Sequence, residues 1–170
     1  AWGMTQPPPL GTTASPDAEI VRMDTEAQLQ FKLKQGRPPI AALEQYVKGL
    51  VAQTPTSKIG FLTQALKLHP ALARARIELW RVHTEEGDHR DALAAVDDVS
   101  PDHRLARQAR FLAGVSMLHL GQHAQAFGVF SDLNMRTPDP ALLNNLGVVQ
   151  LRRPELALGG SAANYFAEAG

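Results

Sequence analysis

His119 and His123 stand four residues apart, the separation that places two imidazoles on one helix face where they can share a divalent metal. Gly121 falls between them at the place where a helix would end, and no third ligand is placed nearby. His83 and His89 straddle Gly87 in the same way. Asp97, Asp98, Asp102 and His103 set three carboxylates beside an imidazole, and carboxylates do acid–base work when burial drives their pKa values apart. Pro101 sits among them, so a solvated turn at a helix end is the expectation. Ser57, Ser100, Ser116, Ser131 and Ser161 lack the surroundings of an activated nucleophile. Gly159-Gly160-Ser161 reads as a turn whose following helix could hold an anion at its N-terminus, but no Gly-rich phosphate loop accompanies it. Arg104, Arg107 and Arg110 cluster around a helix start and offer a solvated basic face or a contact to an acidic partner. The chain has no cysteine, which excludes disulfides, thiolate nucleophiles and Cys-held metals. The sequence therefore predicts no catalytic residue, no metal and no cofactor: the chain is expected not to be an enzyme.

These side chains are carried by elements that the bulk properties already restrict. The 170 residues balance 17 basic against 17 acidic side chains, which argues against a nucleic-acid or anionic-membrane surface built on net charge. Aromatic residues are sparse at 6%, and the apolar ones are mainly Ala, Leu and Val, suited to close-packed helices. No apolar run approaches the roughly 18 residues a membrane-spanning helix requires, so no membrane insertion is expected. Residues 1 to 16 lack the basic start and apolar stretch of a secretory signal, and any such signal would lie outside this chain. Met4 fits a native start behind three extra residues, and a fragment of a longer protein fits too. The compartment stays open: the cytoplasm is slightly favoured, with the periplasm allowed if a signal or anchor lies elsewhere.

Residues 1 to 17, with Gln6-Pro7-Pro8-Pro9 and Gly11-Thr12-Thr13-Ala14-Ser15-Pro16, read as a flexible Pro/Thr/Ser-rich tail. Residues 18 to 36 read as a helix, with Ile20, Met23, Ala27 and Phe31 at spacings of three or four, stopped by Gly36 and Pro38-Pro39. A second helix is expected from about Pro39 to Gln53, with an apolar stripe of Leu43, Tyr46, Val47 and Leu50. A third runs to about Leu68, with Thr56 or Ser57 as its N-cap.

Then the chain repeats itself. Trp80…Gly87-Asp88-His89…Ala92…Val96…Val99 is followed by Gly114…Gly121-Gln122-His123…Ala126…Phe130…Leu133, and Gly87 to Gly121, Ala92 to Ala126 and Val96 to Phe130 are each 34 residues. Gly87 and Gly121 end first helices, where a left-handed conformation is cheapest for glycine. Gly114, Gly147, Ala92, Ala126 and Ala162 let backbones approach, and Leu112, Phe130, Leu133, Leu146 and Phe166 fill the remaining space.

With Ala65-Leu66-Lys67-Leu68-His69-Pro70 as a repeat end, Pro138 in the corresponding closing place, Leu142-Leu143-Asn144-Asn145-Leu146-Gly147 as a first-helix opening and Ala162…Phe166…Ala169 as its partner helix, the chain resembles the tetratricopeptide repeat family. The resemblance implies an all-α fold, a right-handed superhelix of stacked antiparallel hairpins over residues 37 to 170, with repeats at about 39–70, 73–106, 107–140 and 141–170. Departures from the family pattern are Val96 where an aromatic is usual, Ser100-Pro101 closing a helix early, and a long last turn from Arg152 to Gly160 with Pro154 in place of glycine. More narrowly, Ala42-Leu43-Glu44-Gln45-Tyr46-Val47-Lys48-Gly49-Leu50, Trp80-Arg81-Val82-His83-Thr84 and Leu142 to Leu151 are similar to repeat regions that follow a TolB/FlgO-like domain in bacterial proteins. That likeness implies that a sensor or signalling module could adjoin the array.

In stacked hairpins the first helices line a concave face. Steps of three and four give its stripe as Arg74, Ile77, Arg81 and Thr84, then Gln108, Phe111, Val115 and Leu118, then Asn144, Val148 and Leu151 with Asn145 and Arg152 at the edge. Apolar residues mixed with Arg and Asn suit an extended or helical peptide with hydrophobic anchors and some acidic character. The alternative for Ile77, Phe111 and Val115 is packing on an adjacent helix. A protein or peptide partner is expected, its identity unread; the competing expectations are a homo-oligomer formed through the C-terminal helix, and an accessory region of a larger signalling or envelope protein.

Overall fold

The structure, a computed structural model, describes residues 36–156 and 162–169. The expected tail (1–17), nearly all of the expected helix over 18–36, and the turn at Gly159-Gly160-Ser161 lie outside the described residues. The described part is all-α: α1 (Ile40–Val51), α2 (Pro55–Leu68), α3 (Ala73–Glu85), α4 (His89–Asp97), α5 (Ala106–His119), α6 (His123–Arg136), α7 (Pro140–Arg152), a single 3-10 turn (Pro154–Leu156) and α8 (Ala162–Ala169). Each helix packs on the next along the chain, and α5 also touches α3 and α7.

The two expected helix stops are the same piece of geometry used twice. Gly87 has φ +82° and Gly121 φ +73°, the only positive φ values among the described residues. At the first, the Gly87 N–H donates to Thr84 O (3.1 Å) and the Asp88 N–H to His83 O (2.7 Å); at the second, Gly121 donates to Leu118 O (3.1 Å) and Gln122 to Met117 O (2.8 Å). This pair of reversed bonds satisfies the last carbonyls of α3 and α5 and turns the chain into α4 and α6. Pro55 and Pro140 open α2 and α7, where a missing N–H costs nothing. The α2 cap is Thr54, whose Oγ1 accepts the Ser57 N–H at 3.2 Å, and not Thr56 or Ser57 as the sequence suggested. Thr54 holds the extended backbone a cap requires, while Thr56 and Ser57 already lie inside the helix.

Packing between paired helices follows one rule with one inversion. Gly114 is buried, and a Cβ there would lie 2.6 Å from the Phe130 ring; Gly147 has the same relation to Phe166 (2.6 Å), and Gly49 to Leu62 (2.8 Å). In the α3–α4 pair, bulk changes sides. Trp80 stands 34 residues before Gly114, and Val96 stands 34 before Phe130, so a large residue on the first helix faces a smaller one on the second. Trp80 packs against the Val96, Ala109 and Ala113 cluster. This compensation accounts for the departure at Val96.

The main core runs through Leu118, Ala126, Phe130, Leu133, Leu142, Leu146 and Val149. A second cluster joins Leu62, Ala65, Leu72, Ala75 and Leu79, with Tyr46 against it. Burial, and then the charge of Glu78, raise the Tyr46 hydroxyl above its ordinary pKa. The α1 stripe is split by this packing. Ala42, Gly49 and Tyr46 turn inward, whereas Leu43, Val47 and Leu50 are 40%, 54% and 41% exposed. Two ion pairs tie successive elements with the same spacing: Arg76 to Asp98 at 3.1 Å, and Arg110 to Asp132 at 3.0 Å, each residue 34 from its counterpart.

Candidate functional site

The expected stripe distributes over α3, α5 and α7. On α3, Arg74 is exposed and Ile77 half-buried. Arg81 is also exposed, but its guanidinium is engaged by Glu78 one turn earlier, with Nε 3.0 Å from Oε2. That pair lowers the free positive charge this helix offers a ligand. Thr84 is half-buried, its Oγ1 shielded from solvent without a hydrogen-bond partner.

On α5, Gln108 is exposed, and Phe111 and Val115 are half-buried against the main core. Phe111 tilts on Phe130, with ring centroids 5.8 Å apart and planes at 57°. Leu118 drops out of the stripe, being 7% exposed inside the core. It lies where α5 meets α6, just before the Gly121 turn, and has no route to the surface.

On α7, Asn144 is exposed and Val148 half-buried. Asn145 spends its amide within the helix, Nδ2 donating to Ala141 O at 2.9 Å. Arg152 is exposed and Leu151 is 66% exposed, both at the end of the helix.

Two of these residues meet a cavity. Gln108 and Phe111 join Leu133, Ala141 and Leu142 around a space of about 250 Å³, with Arg107 and Asp139 as its charged members. The cavity sits where the start of α5, the end of α6 and the start of α7 converge. Both charged members have structural duties. Arg107 donates to Leu133 O (3.1 Å) and Thr137 O (2.7 Å), closing the carbonyl end of α6. Asp139 caps α7, its Oδ1 accepting the Ala141 N–H at 2.8 Å. The space is thus bounded by apolar walls and by polar groups held in place, with the Gln108 amide beside it. Leu133, Ala141 and Leu142 were not legible as site residues, because a second-helix residue and the opening of α7 enter only through the convergence of three elements.

The basic trio does not form the free face that its spacing suggested. Arg107 is committed to carbonyls, Arg110 to Asp132. The acidic turn is likewise partly tied: Asp98 accepts from Arg76, and His103 Nδ1 accepts the Leu105 N–H at 3.0 Å. His119 stacks on His89, centroids 4.1 Å apart and planes within 12°. Burial first, then His89, then Arg152, hold the His119 imidazole below its ordinary pKa. Among the described residues no group of three or more His, Cys, Asp or Glu side chains is arranged to hold a metal ion. Among them, too, no helix is long and apolar enough to cross a membrane. No protein-family model matches the chain, and no curated protein is significantly similar to it.

Proposed function

We propose that the helices form a right-handed superhelix of tetratricopeptide-like hairpins, a non-enzymatic scaffold that binds a peptide segment or partner domain along α3, α5 and α7. The cavity at Gln108, Phe111, Leu133, Ala141 and Leu142 carries this reading. Its size suits one large apolar side chain, and its walls are fixed by Arg107 and Asp139 before any ligand arrives. Preorganised apolar space flanked by a few polar groups is what peptide anchors use. The glycine turns at 34-residue spacing and the twice-used Arg–Asp ion pair support the repeat architecture. Arg74 and Asn144, exposed on neighbouring first helices, favour a peptide with acidic character next to its apolar anchor. The scaffold serves as the repeat region of a larger bacterial signalling or envelope protein.

Selection from a random peptide library, followed by fluorescence polarisation with the winners, tests the proposal. Peptides with a Leu, Phe or Trp anchor and nearby Asp or Glu are expected. Gln108→Trp, which crowds the cavity from an exposed position, lowers their affinity at least tenfold, and Arg74→Glu weakens the acidic ones. A library that yields no binder, or binders indifferent to both changes, overturns the groove.

A further inference from the structure

Helix α1 has a second apolar face, opposite the one that Ala42 and Gly49 bury. Ile40 is 76% exposed, Leu43 40%, Val47 54% and Leu50 41%, with Val51 at 65% beside them. Five of the nine large exposed apolar residues lie on this one helix, whereas α8 contributes Phe166 alone, at 37%. The steps 40, 43, 47, 50 are those of a seam between two helices lying lengthwise. The seam is also symmetrical about Gln45: Ile40 and Leu50 lie five residues to either side, Leu43 and Val47 two. A two-fold contact requires a patch complementary to itself, and this stripe meets that condition.

We propose that α1 is a self-association surface that pairs antiparallel with α1 of a second copy, on a two-fold axis level with Gln45. Ile40 then lies opposite Leu50 of the second copy, and Leu43 opposite Val47. Charge selects the direction. Glu44 and Lys48 are exposed along one edge of the seam. In the antiparallel arrangement each Glu44 stands about 3 Å along the axis from the other copy's Lys48, at ~1.5 Å rise per residue, which the lysine stem spans. Parallel pairing would set Glu44 level with Glu44. The 17 acidic and 17 basic side chains leave no net charge to oppose association. One face of a three-turn helix is smaller than the roughly 800 Å² per partner of a standard interface, so the dimer forms and dissociates with concentration. This surface is separate from the groove, and neither requires the other.

Light scattering on the full chain over a hundredfold concentration range reads it out. The mass rises from 18.4 kDa toward twice that value. Val47→Glu holds it at the monomer, with helix content by circular dichroism unchanged. Glu44→Lys and Lys48→Glu each weaken association several-fold when alone. An equimolar mixture of the two restores it, because each copy then offers the charge the other lacks. A mass fixed at 18.4 kDa at every concentration, whether the face is covered within the chain or left for a foreign partner, overturns the proposal. So does a dimer indifferent to Val47→Glu, as assembly through the C-terminal helix would be. A mixture no stronger than the single variants overturns the antiparallel geometry.

Discussion

The indole N–H of Trp80 on α3 reaches Ser116 Oγ on α5 at 2.9 Å and shares its proton with Leu112 O at 3.1 Å. Ser116 is fully buried, so this bond supplies a polar partner inside a region with no other donor recorded for it. It joins the first helices of two successive pairs. Trp80→Phe keeps most of the packing and removes the donor, and should cost about 1 kcal/mol in urea unfolding. Ser116→Ala should cost a similar amount, and the double variant less than the sum of the two. Full additivity would mean that the bond contributes nothing.

Gly114 and Phe130 form the tightest approach between paired helices. Gly114→Ala forces the Phe130 ring aside and should destabilise by about 1–3 kcal/mol. Adding Phe130→Leu should recover part of that loss, although Phe130→Leu alone is itself destabilising because the ring is wholly buried. Independent, additive losses in a thermal melt would show that the close approach is not the cause.

The histidine stack makes stability depend on acid. Because the folded state holds His119 below its ordinary value of 6.5, it binds a proton less readily than the unfolded chain does. The contribution is fully present above about pH 6.5 and is lost as the pH falls through the folded value. The urea midpoint should therefore drop between about pH 7.5 and pH 5.5, the range in which imidazoles titrate. In His119→Gln the drop should shrink. An undiminished drop in that variant assigns the acid sensitivity to other groups.

Gln150 on α7 is 3% exposed, and both polar atoms of its amide are buried with no hydrogen-bond partner. It stands 34 residues after Ser116, while the residue 34 after Trp80 is Gly114, which carries no donor. The repeat thus keeps a polar side chain where its partner's place has been vacated. Gln150→Met should raise stability by about 1 kcal/mol or more, since an orphaned buried amide costs about 1–3 kcal/mol. A loss of stability instead would show that the amide finds a partner in solution.

How far the sequence carries depends on what each residue's position demands of its neighbours. Gly87 and Gly121 announce their turns because a positive φ is costly for most other residues. Phe130, Leu133 and Leu146 announce the core through period and size. The stripe on α1 misleads, because periodicity marks an apolar face without saying which of two faces meets the next helix. There the small Ala42 and Gly49 decide, by letting Leu62 come close. The Arg81–Glu78 pair was within reach of a sequence argument, three residues apart on one helix. The carbonyls held by Arg107, 26 and 30 residues away, were not, and neither was the cavity they help to frame.

The placement of Trp80 also gives the molecule an optical probe. The chain contains two tryptophans, Trp2 and Trp80. With Trp2 replaced by phenylalanine, all tryptophan emission comes from the α3–α5 contact, where the indole is hydrogen-bonded and packed among aliphatic groups. Its wavelength then follows that single joint, while far-ultraviolet dichroism follows every helix at once. Comparing the two signals during unfolding shows whether the helical pairs let go together or come apart one after another.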